Sequence, residues 1–244
     1  MAAGASCDDA HVTSAAIVVE RLSPATRGDY LAFFDHDRGP AFSDNPEWAR
    51  CYCQFYRIPR ALDWKAFTAD ANRMAADAAI ACGEAEGYLA RADPTPPDAR
   101  DARIPPEESR APGAEHRARG PVVGWMHAAP RHKLPHCFER MGIAAPPIDV
   151  PPHDAAVIVC FVIAPEWRRR GVASALLDGA LADLATRGIA VVDAFPFKAG
   201  DSTTATDHYH GPASLFASRG FAAIADHPDL TVVRRRLAPA TGAP

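Results

Sequence analysis

The residues best suited to chemistry in this sequence are three consecutive arginines, Arg168, Arg169 and Arg170, with Gly171 directly behind them. The apolar run at residues 155–163 predicts a buried strand, and the spacing of apolar residues after Gly171 predicts a helix. The first N–H groups of a helix lack intrahelical acceptors and lie at the positive end of its dipole. The sequence therefore predicts a phosphate or pyrophosphate site, because glycine lets a ligand approach the backbone.

A surface helix with a basic first turn is the alternative interpretation. Positive charge at that end of a helix opposes the dipole and lowers stability unless an anion is bound there. A Walker phosphate loop is excluded, because no lysine followed by Ser or Thr comes after a glycine-rich stretch. The dinucleotide-binding fingerprint is excluded as well, because its glycine spacing is missing.

Four residues in the C-terminal third of the sequence have side chains that can move protons. Asp193 lies near the end of the strand after the arginine-rich helix, where open α/β sheets present ligand-binding groups. Tyr209 has a phenol, and it is flanked by His208 and His210, whose side chains titrate near neutral pH. A solvated aspartate at a strand end and ordinary loop histidines are the alternatives.

The cysteines favour packing over metal binding. Cys51 and Cys53 are two residues apart, and no C-x-x-C pair or compact Cys/His set completes four ligands, so we expect no metal. Cys160 lies within a predicted central strand and is expected to be a buried small residue. A nucleophilic cysteine is the alternative interpretation.

The elements that must position these residues alternate along the chain, which favours an α/β or α+β sheet. Predicted strands cover residues 15–22, 51–56, 87–92, 121–127, 155–163, 189–194, 221–225 and 230–237. Predicted helices cover residues 23–34, 64–82, 171–187 and 212–218.

Composition limits the class of protein. The chain has 244 residues, 48% of them hydrophobic, and a net charge of −4, so we expect a packed core and no nucleic-acid partner. No apolar run is long enough for a membrane span, and the N-terminus does not resemble a signal peptide. Six irregularly spaced cysteines indicate a reducing compartment, and we therefore expect a cytoplasmic protein.

Three segments are expected to be disordered: residues 1–13, the tail 239–244 and an insertion at 94–119. The insertion holds six prolines, five acidic residues and five arginines, with Ile104 as its single large aliphatic residue. Such a segment buries too little apolar surface to offset the entropy of ordering it.

Two motifs resemble the GNAT superfamily of acyl-CoA-dependent N-acyltransferases. Arg168-x-x-Gly171-x-Ala173, behind a strand, resembles the family's pyrophosphate-binding signature. The segment from Leu215 to Phe221, Leu-Phe-x-x-x-Gly-Phe, resembles the family's later Leu-Tyr-x-x-x-Gly-Phe. The resemblance extends over about residues 15–237 and implies a single domain, 14–238, with a mixed, mostly antiparallel sheet flanked by helices.

The resemblance also implies acetyl-CoA as cosubstrate and a set of residues that bind it. The backbone of the strand end would hold the pantetheine arm, and the N–H groups of the loop and helix start would hold the pyrophosphate. This implied set is Phe161, Val162, Ile163, Arg168, Arg169, Arg170, Gly171, Val172, Ala173, Ser174 and Phe216.

The sequence departs from the family at two positions that matter for proton transfer. The tyrosine that often protonates the leaving thiolate is Phe216 here, and Val157 occupies the position where many members carry a glutamate base. We therefore expect Tyr209 to supply the phenol, with Asp193 and His208 as further candidates for proton transfer.

The acceptor side of the resembled fold corresponds to the loop after the first helix. Asp44 and Glu47 there would favour a cationic amine, and Trp48 and Tyr52 could form an aromatic wall, although surface charge and core packing are the plainer interpretations. The expected activity is acetyl transfer to a primary amine of a small molecule, directly between the two bound substrates and not through a cysteine acyl-enzyme. A homodimer is possible. The alternatives are a non-catalytic acyl-CoA-binding module and an acetyltransferase acting on protein or peptide amines.

Overall fold

The computed structural model describes residues 16–93, 119–198, 204 and 208–238. The predictions for residues 1–13 and 239–244, and for nearly all of the insertion at 94–119, lie outside these residues. The described segments form the strands and helices around one sheet.

The sheet has seven strands in the order β1-β2-β3-β4-β5-β7-β6. All neighbours pair antiparallel except β4 and β5, which pair parallel. This confirms the predicted mixed, mostly antiparallel sheet. The strands are β1 Ile17–Arg21, β2 Tyr88–Ala92, β3 Val122–Pro130, β4 Ala155–Ile163, β5 Val191–Ala194, β6 Ala222–Asp226 and β7 Thr231–Arg236.

Helices cover both faces of the sheet, so β4 is buried on both sides. The helices are α1 Arg27–Phe33, α2 Ala69–Ala81, α3 Cys137–Met141, α4 Val172–Thr186 and α5 Ala213–Ala217. Alternate residues of β4 face opposite layers, because side chains alternate along a strand. Val157 packs in the layer with α1 and α2, and Ile158 packs in the layer with α4 and α5.

The start of α4 lies very close to the sheet because of a glycine on β3. A Cβ on Gly124 would lie 2.7 Å from Cγ1 of Val172 and 2.9 Å from Cδ1 of Ile163. Any larger residue at this position would push the helix start away from the end of β4. Gly124 therefore sets the distance between the loop that precedes α4 and the strand that leads into it.

β4 and β5 pair over only part of their length. Their register runs from Ala155↔Val191 to Ile158↔Ala194, while β4 stays paired with β3 as far as Ile163. Beyond Ala194 the chain follows β7 instead, since Phe197 bridges to Leu230. The two strands therefore separate, which leaves a gap beside the second half of β4. Among the described residues no strand pairs with this open edge, although Tyr209 bonds to it at Phe161.

The predicted strand at residues 51–56 is wrong. Tyr52 and Cys53 have φ angles of 42° and 48°, in the left-handed region that no strand uses. The backbone carbonyl of Tyr52 accepts hydrogen bonds from the Tyr30 hydroxyl at 2.8 Å and from the Gln54 amide at 3.0 Å. These tertiary contacts fold the aromatic-rich segment into a turn, so its strand-like composition did not determine its conformation.

Candidate active site

The loop between β4 and α4 makes two left-handed steps before the helix begins. After a short 3-10 turn at Pro165–Trp167, Arg169 has a φ of 62° and Gly171 a φ of 80°. Gly171 is the N-cap, and α4 begins at Val172, which confirms the predicted strand, loop and helix. Positive φ is costly for Arg169 but not for glycine, so Arg169 holds a strained backbone conformation beside the helix start.

Six consecutive backbone N–H groups, those of residues 169–174, lie in this loop and the first turn of the helix. Among the described residues, no backbone carbonyl accepts a hydrogen bond of normal geometry from any of them, and the first bond of the helix runs from Ala175 N–H to the Gly171 carbonyl at 2.9 Å. Arg169, Arg170 and Gly171 are exposed. A row of unpaired amides with exposed positive charge fits an anion, as the sequence predicts.

Arg168 has a different environment from the two arginines that follow it. Its Nε donates to the Ile163 carbonyl at 3.2 Å, and its guanidinium forms a two-pronged ion pair with Asp44, one contact being 3.0 Å. The hydrogen bond from Arg168 holds the pKa of the Asp44 carboxyl below its usual range. Each side chain therefore has a partner within the protein, so the anion-binding role expected of Arg168 and the amine-binding role expected of Asp44 would each require this ion pair to open.

The open edge of β4 presents backbone groups two residues apart. Phe161 N–H donates to the Tyr209 carbonyl at 2.6 Å, away from β3. Because residues two apart on a strand point their polar groups to the same edge, Ile163 also faces the gap. Val162 points toward β3 instead, as does Ala164, whose N–H donates to the Val123 carbonyl at 3.0 Å. The expected backbone contribution of Val162 to a ligand therefore does not fit, whereas Phe161 and Ile163 face the gap.

Tyr209 occupies the space that β5 leaves when it turns away from β4. Its half-buried ring lies edge-on to Trp48 and Phe197, with centroid distances of 5.2 and 5.3 Å. Burial raises the pKa of the Tyr209 phenol to about 12, so the phenol is protonated at neutral pH. The structure thus brings together Tyr209 and Trp48, two of the predicted residues, at the open edge of the sheet.

A chain of hydrogen bonds runs inward from Tyr209. Its hydroxyl lies 3.1 Å from the hydroxyl of Tyr56, which lies 2.5 Å from Nε2 of His210. On the far side of the imidazole, Nδ1 lies 2.7 Å from the Phe195 carbonyl oxygen. A carbonyl can only accept, so Nδ1 carries the hydrogen.

His210 is fully buried in an aromatic surrounding. Its ring stacks on Phe197, with the centroids 4.2 Å apart, and burial lowers its pKa to about 4. The imidazole is therefore neutral at pH 7, and its bare Nε2 must accept from the Tyr56 hydroxyl. The Tyr56 hydroxyl therefore accepts a hydrogen bond from the Tyr209 hydroxyl. The hydrogen bonds all point in one direction, from Tyr209 through Tyr56 to His210.

Asp193 lies in a buried ion pair and not at an open site. Its side chain is inaccessible to solvent, and its carboxylate accepts from Arg234 Nε at 2.7 Å and Nη2 at 3.0 Å. Arg131 lies 3.7 Å away on the same carboxylate. A base must reach its substrate, so the proton-accepting role that the sequence suggested for Asp193 does not fit its surroundings.

Two other predicted residues lie in the core. Phe216 is fully buried between Phe161 and Phe221, at centroid distances of 6.2 and 5.2 Å, so its ring packs beneath β4 and does not face a ligand. Tyr52 is also fully buried, and its hydroxyl lies 2.9 Å from Nδ1 of His36. The expected contacts of Phe216 with acetyl-CoA and of Tyr52 with the amine therefore do not fit.

The remaining predicted residues lie near the gap. Glu47 is exposed in the 3-10 turn Pro46–Trp48, next to the ring that contacts Tyr209. The backbone carbonyl of His208 accepts from Gly211 N–H at 2.8 Å, which closes the turn that carries Tyr209. Val172 packs inward, while Ala173 and Ser174 stay half-buried at the helix start.

Sequence reasoning missed Tyr56 and Phe197, and it considered His210 only as one of two loop histidines beside Tyr209. Tyr56 belongs to the segment interpreted as a strand, and its partner His210 is 154 residues away. The run of aromatic residues at 48–56 was a signal for a pocket, but spacing alone could not show which rings would face Tyr209.

Other classes of site receive no support from the part of the chain that the structure describes. No group of three or more His, Cys, Asp or Glu side chains there is arranged to hold a metal ion. In the same residues, no helix is both long and apolar enough to cross a membrane.

The sequence profile of the acetyltransferase (GNAT) family matches residues 79–206, just over half of the chain. This span includes β4, the arginine-rich loop, α4 and β5, but it ends before Tyr209. No curated protein matches the sequence.

Solved structures of acetyltransferases resemble the chain at low identity. An acetyltransferase from Thermus thermophilus is 13% identical, with a TM-score of 0.46 over 93% of this chain and 100% of that one. An N-acetyltransferase from Staphylococcus aureus is 12% identical (TM-score 0.45; 91% and 99% covered). The PaiA N-acetyltransferase from Thermoplasma acidophilum in complex with coenzyme A is 10% identical (TM-score 0.43; 91% and 99% covered).

Proposed function

We propose that this chain, which belongs to the acetyltransferase (GNAT) family, transfers an acetyl group from acetyl-CoA to a primary amine of a small molecule. The transfer is direct, within a complex that holds both substrates. The observation that carries the proposal is the row of unpaired N–H groups at residues 169–174 beside the open edge of β4.

The loop and the strand edge suit the two parts of acetyl-CoA that need different partners. The pyrophosphate needs donors and positive charge, which the amides, the helix dipole and Arg169 and Arg170 supply. The pantetheine arm carries amides, which pair with strand-like backbone groups such as the Phe161 carbonyl and the Ile163 N–H, the groups on this edge that are not bonded to Tyr209 or Arg168. A Cβ on Gly171 would meet no atom within 4 Å, so the space in front of the helix start is open to a ligand.

Tyr209 is the group that this site offers to the reacting atoms. A phenol that is protonated at neutral pH can donate to a leaving thiolate, the role that Phe216 cannot fill. Trp48 and Phe197 flank it with apolar surface, and the exposed Glu47 adds a negative charge beside Trp48. This combination favours a small amine with an apolar body.

Direct transfer is favoured over an acyl-enzyme on a cysteine. Burial raises the pKa of the Cys51 thiol to about 12 and that of Cys53 well above its ordinary value, so both are protonated and weakly nucleophilic. Cys160 is only 9% exposed. Initial-rate plots at several amine concentrations should therefore give intersecting lines, whereas parallel lines would indicate an acyl-enzyme.

Two measurements test the proposal together. Calorimetric titration should show acetyl-CoA binding, and acetyl-pantetheine, which lacks the pyrophosphate, should bind at least about tenfold more weakly, a difference of about 1.4 kcal/mol. Thiol release should then be measured against small primary amines, a peptide with a free N-terminus and a lysine peptide.

The outcomes separate the alternatives. No acetyl-CoA binding up to millimolar ligand would refute the proposal. Binding without turnover of any amine would favour a non-catalytic acyl-CoA-binding module. Turnover of peptides in preference to small amines would favour a protein or peptide acetyltransferase.

A further inference from the structure

We propose that Tyr56 and His210 form a proton relay behind Tyr209, which carries a proton from the attacking amine to the leaving sulfur. The inference rests on the proposed acetyl transfer. Both residues lie outside the span that matches the family profile, residues 79–206. They act only through Tyr209, because it is the one residue of these three that is not fully buried or nearly so.

The direction of the hydrogen bonds leaves Tyr209 ready to accept. The Phe195 carbonyl holds the hydrogen of His210 on Nδ1, at 2.7 Å, so Nε2 is bare and Tyr56 donates to it. Tyr209 donates to Tyr56 in turn, across 3.1 Å. Its own oxygen can therefore accept a proton from a nitrogen in the gap, while its hydrogen moves inward.

The relay balances the reaction with a single proton. As the amine nitrogen forms its bond to the carbonyl carbon, it becomes positively charged and passes one proton to Tyr209. The Tyr209 hydrogen moves to Tyr56, and the Tyr56 hydrogen moves to Nε2 of His210. When the carbon–sulfur bond breaks, the same steps run backward and the proton ends on sulfur, which leaves an amide, a free thiol and the three side chains as they began.

The surroundings of His210 suit temporary storage of a proton. Its neighbours are Phe195, Phe197, Tyr56 and Tyr209, and none of these side chains carries a charge at neutral pH. Burial without a counter-charge makes the imidazolium unstable, in line with a pKa of about 4. A proton on His210 is therefore held weakly and can return to Tyr56, as a relay requires. The relay handles the one proton that a neutral amine releases on attack, so the amine must enter the site in its neutral form.

The direct test is Tyr56→Phe, which keeps the ring and removes the hydroxyl that joins Tyr209 to His210. We expect kcat to fall by about 10- to 100-fold, the range of a lost acid–base path, with the Kd for acetyl-CoA unchanged within about twofold. The matched control is Tyr30→Phe, because Tyr30 is equally buried and its hydroxyl donates to the Tyr52 carbonyl at 2.8 Å, outside the relay. This control should keep kcat within about twofold.

Two further variants separate a relay from a structural role. Glutamine in His210→Gln can still hydrogen-bond Tyr56 or the Phe195 carbonyl, but it cannot take a proton, so it should lose as much kcat as Tyr56→Phe. The double variant Tyr56→Phe/Tyr209→Phe should be no slower than Tyr209→Phe alone, since members of one chain act as a unit. Should Tyr56→Phe not fold, His210→Gln carries the same test.

Each outcome has a meaning. If the wild type turns over an amine and Tyr56→Phe or His210→Gln keeps the full kcat, the relay is overturned and the proposed function stands. The same holds if the loss of kcat in the double variant is the product of the losses in the two single variants. A wild-type protein that turns over no amine would overturn the proposed function, and the relay with it.

Discussion

The two halves of β4 differ in what they do with buried polar groups. In the first half, β5 is paired and Asp193, opposite Val157 in register, lies in an inaccessible ion pair with Arg234. In the second half, β5 has turned away and Tyr209 fills the space, bonded to Phe161. Both Asp193 and Tyr209 are candidates for proton transfer from the sequence, but only Tyr209 reaches the gap.

The difference teaches how to separate a structural polar group from a functional one. A buried charge must be paired, and once it is paired it holds its partners in place and has little left to offer a ligand. A series of hydrogen-bonded neutral groups that ends at a half-buried tyrosine has no such obligation, and its hydrogens can move. Substitutions can alter each half of β4 separately.

Replacing Asp193 with Asn should be the most damaging change. It leaves Arg234 and the neighbouring Arg131 without their carboxylate, and breaking a buried pair costs about 3–5 kcal/mol of unfolding free energy. Urea unfolding measures this. The matched control is Asp149→Asn, because Asp149 pairs with Arg236 at an exposed site, where loss of the pair should change the stability far less. If Asp193→Asn kept its stability and lost kcat, Asp193 would be the base after all.

Stability should fall on acidification because His210 is buried in its neutral form. The pKa of this residue is about 4 in the folded protein, against about 6.5 when unfolded. Between these pH values the unfolded chain binds a proton that the folded protein does not. The contribution of neutral His210 to the free energy of unfolding is therefore fully present above pH 6.5 and is lost as the pH falls toward 4. The loss amounts to about 3 kcal/mol.

Urea unfolding at pH 6.5 and pH 4 measures this loss in the wild type and in His210→Gln. The variant should lose about 3 kcal/mol less than the wild type over the interval. His127, buried with a pKa of about 3, titrates in the same way in both proteins and therefore cancels in the comparison. Equal losses in the two proteins would show that His210 is not held neutral.

Replacing Gly171 with Val should weaken acetyl-CoA binding by about tenfold or more, which is about 1.4 kcal/mol. A branched side chain at a φ of 80° strains the loop and blocks approach to the amides. Gly188→Val is the matched control, since Gly188 has a φ of 81°, follows the other end of α4 and has no atom within 4 Å of its Cβ position. Both variants should lose similar stability. Equal acetyl-CoA affinity in both, measured by calorimetry, would mean that the anion site lies elsewhere.

The smallest effect belongs to the Arg168–Asp44 pair. Both side chains are partly exposed, so a double-mutant cycle of Arg168→Met and Asp44→Asn should give a stability coupling of about 0.2–1 kcal/mol. The acetyl-CoA Kd should change by less than about threefold in either variant, because Arg168 is bound to Asp44 and Ile163. A tenfold loss of affinity in Arg168→Met alone would make Arg168 a ligand for the anion.

Most of the fold was predictable because its signals are local. The apolar run of β4, the glycine before α4 and the apolar spacing within α4 each need only a short window of sequence. The strand assigned to residues 51–56 failed because its conformation depends on distant partners such as Tyr30. Of the site, the anion loop was predicted from its residues, whereas the relay was not.

The sequence by itself determined that a strand, an arginine-rich loop and a glycine-capped helix follow one another, and with them a place for an anion. Only the tertiary structure decided which titratable residues meet. Arg168 and Asp44 are 124 residues apart, and Tyr56 and His210 are 154 apart. Their pairing depends on the order of the strands and on the point where β4 and β5 separate. That geometry arises from packing the whole chain, so no local pattern of residues records it.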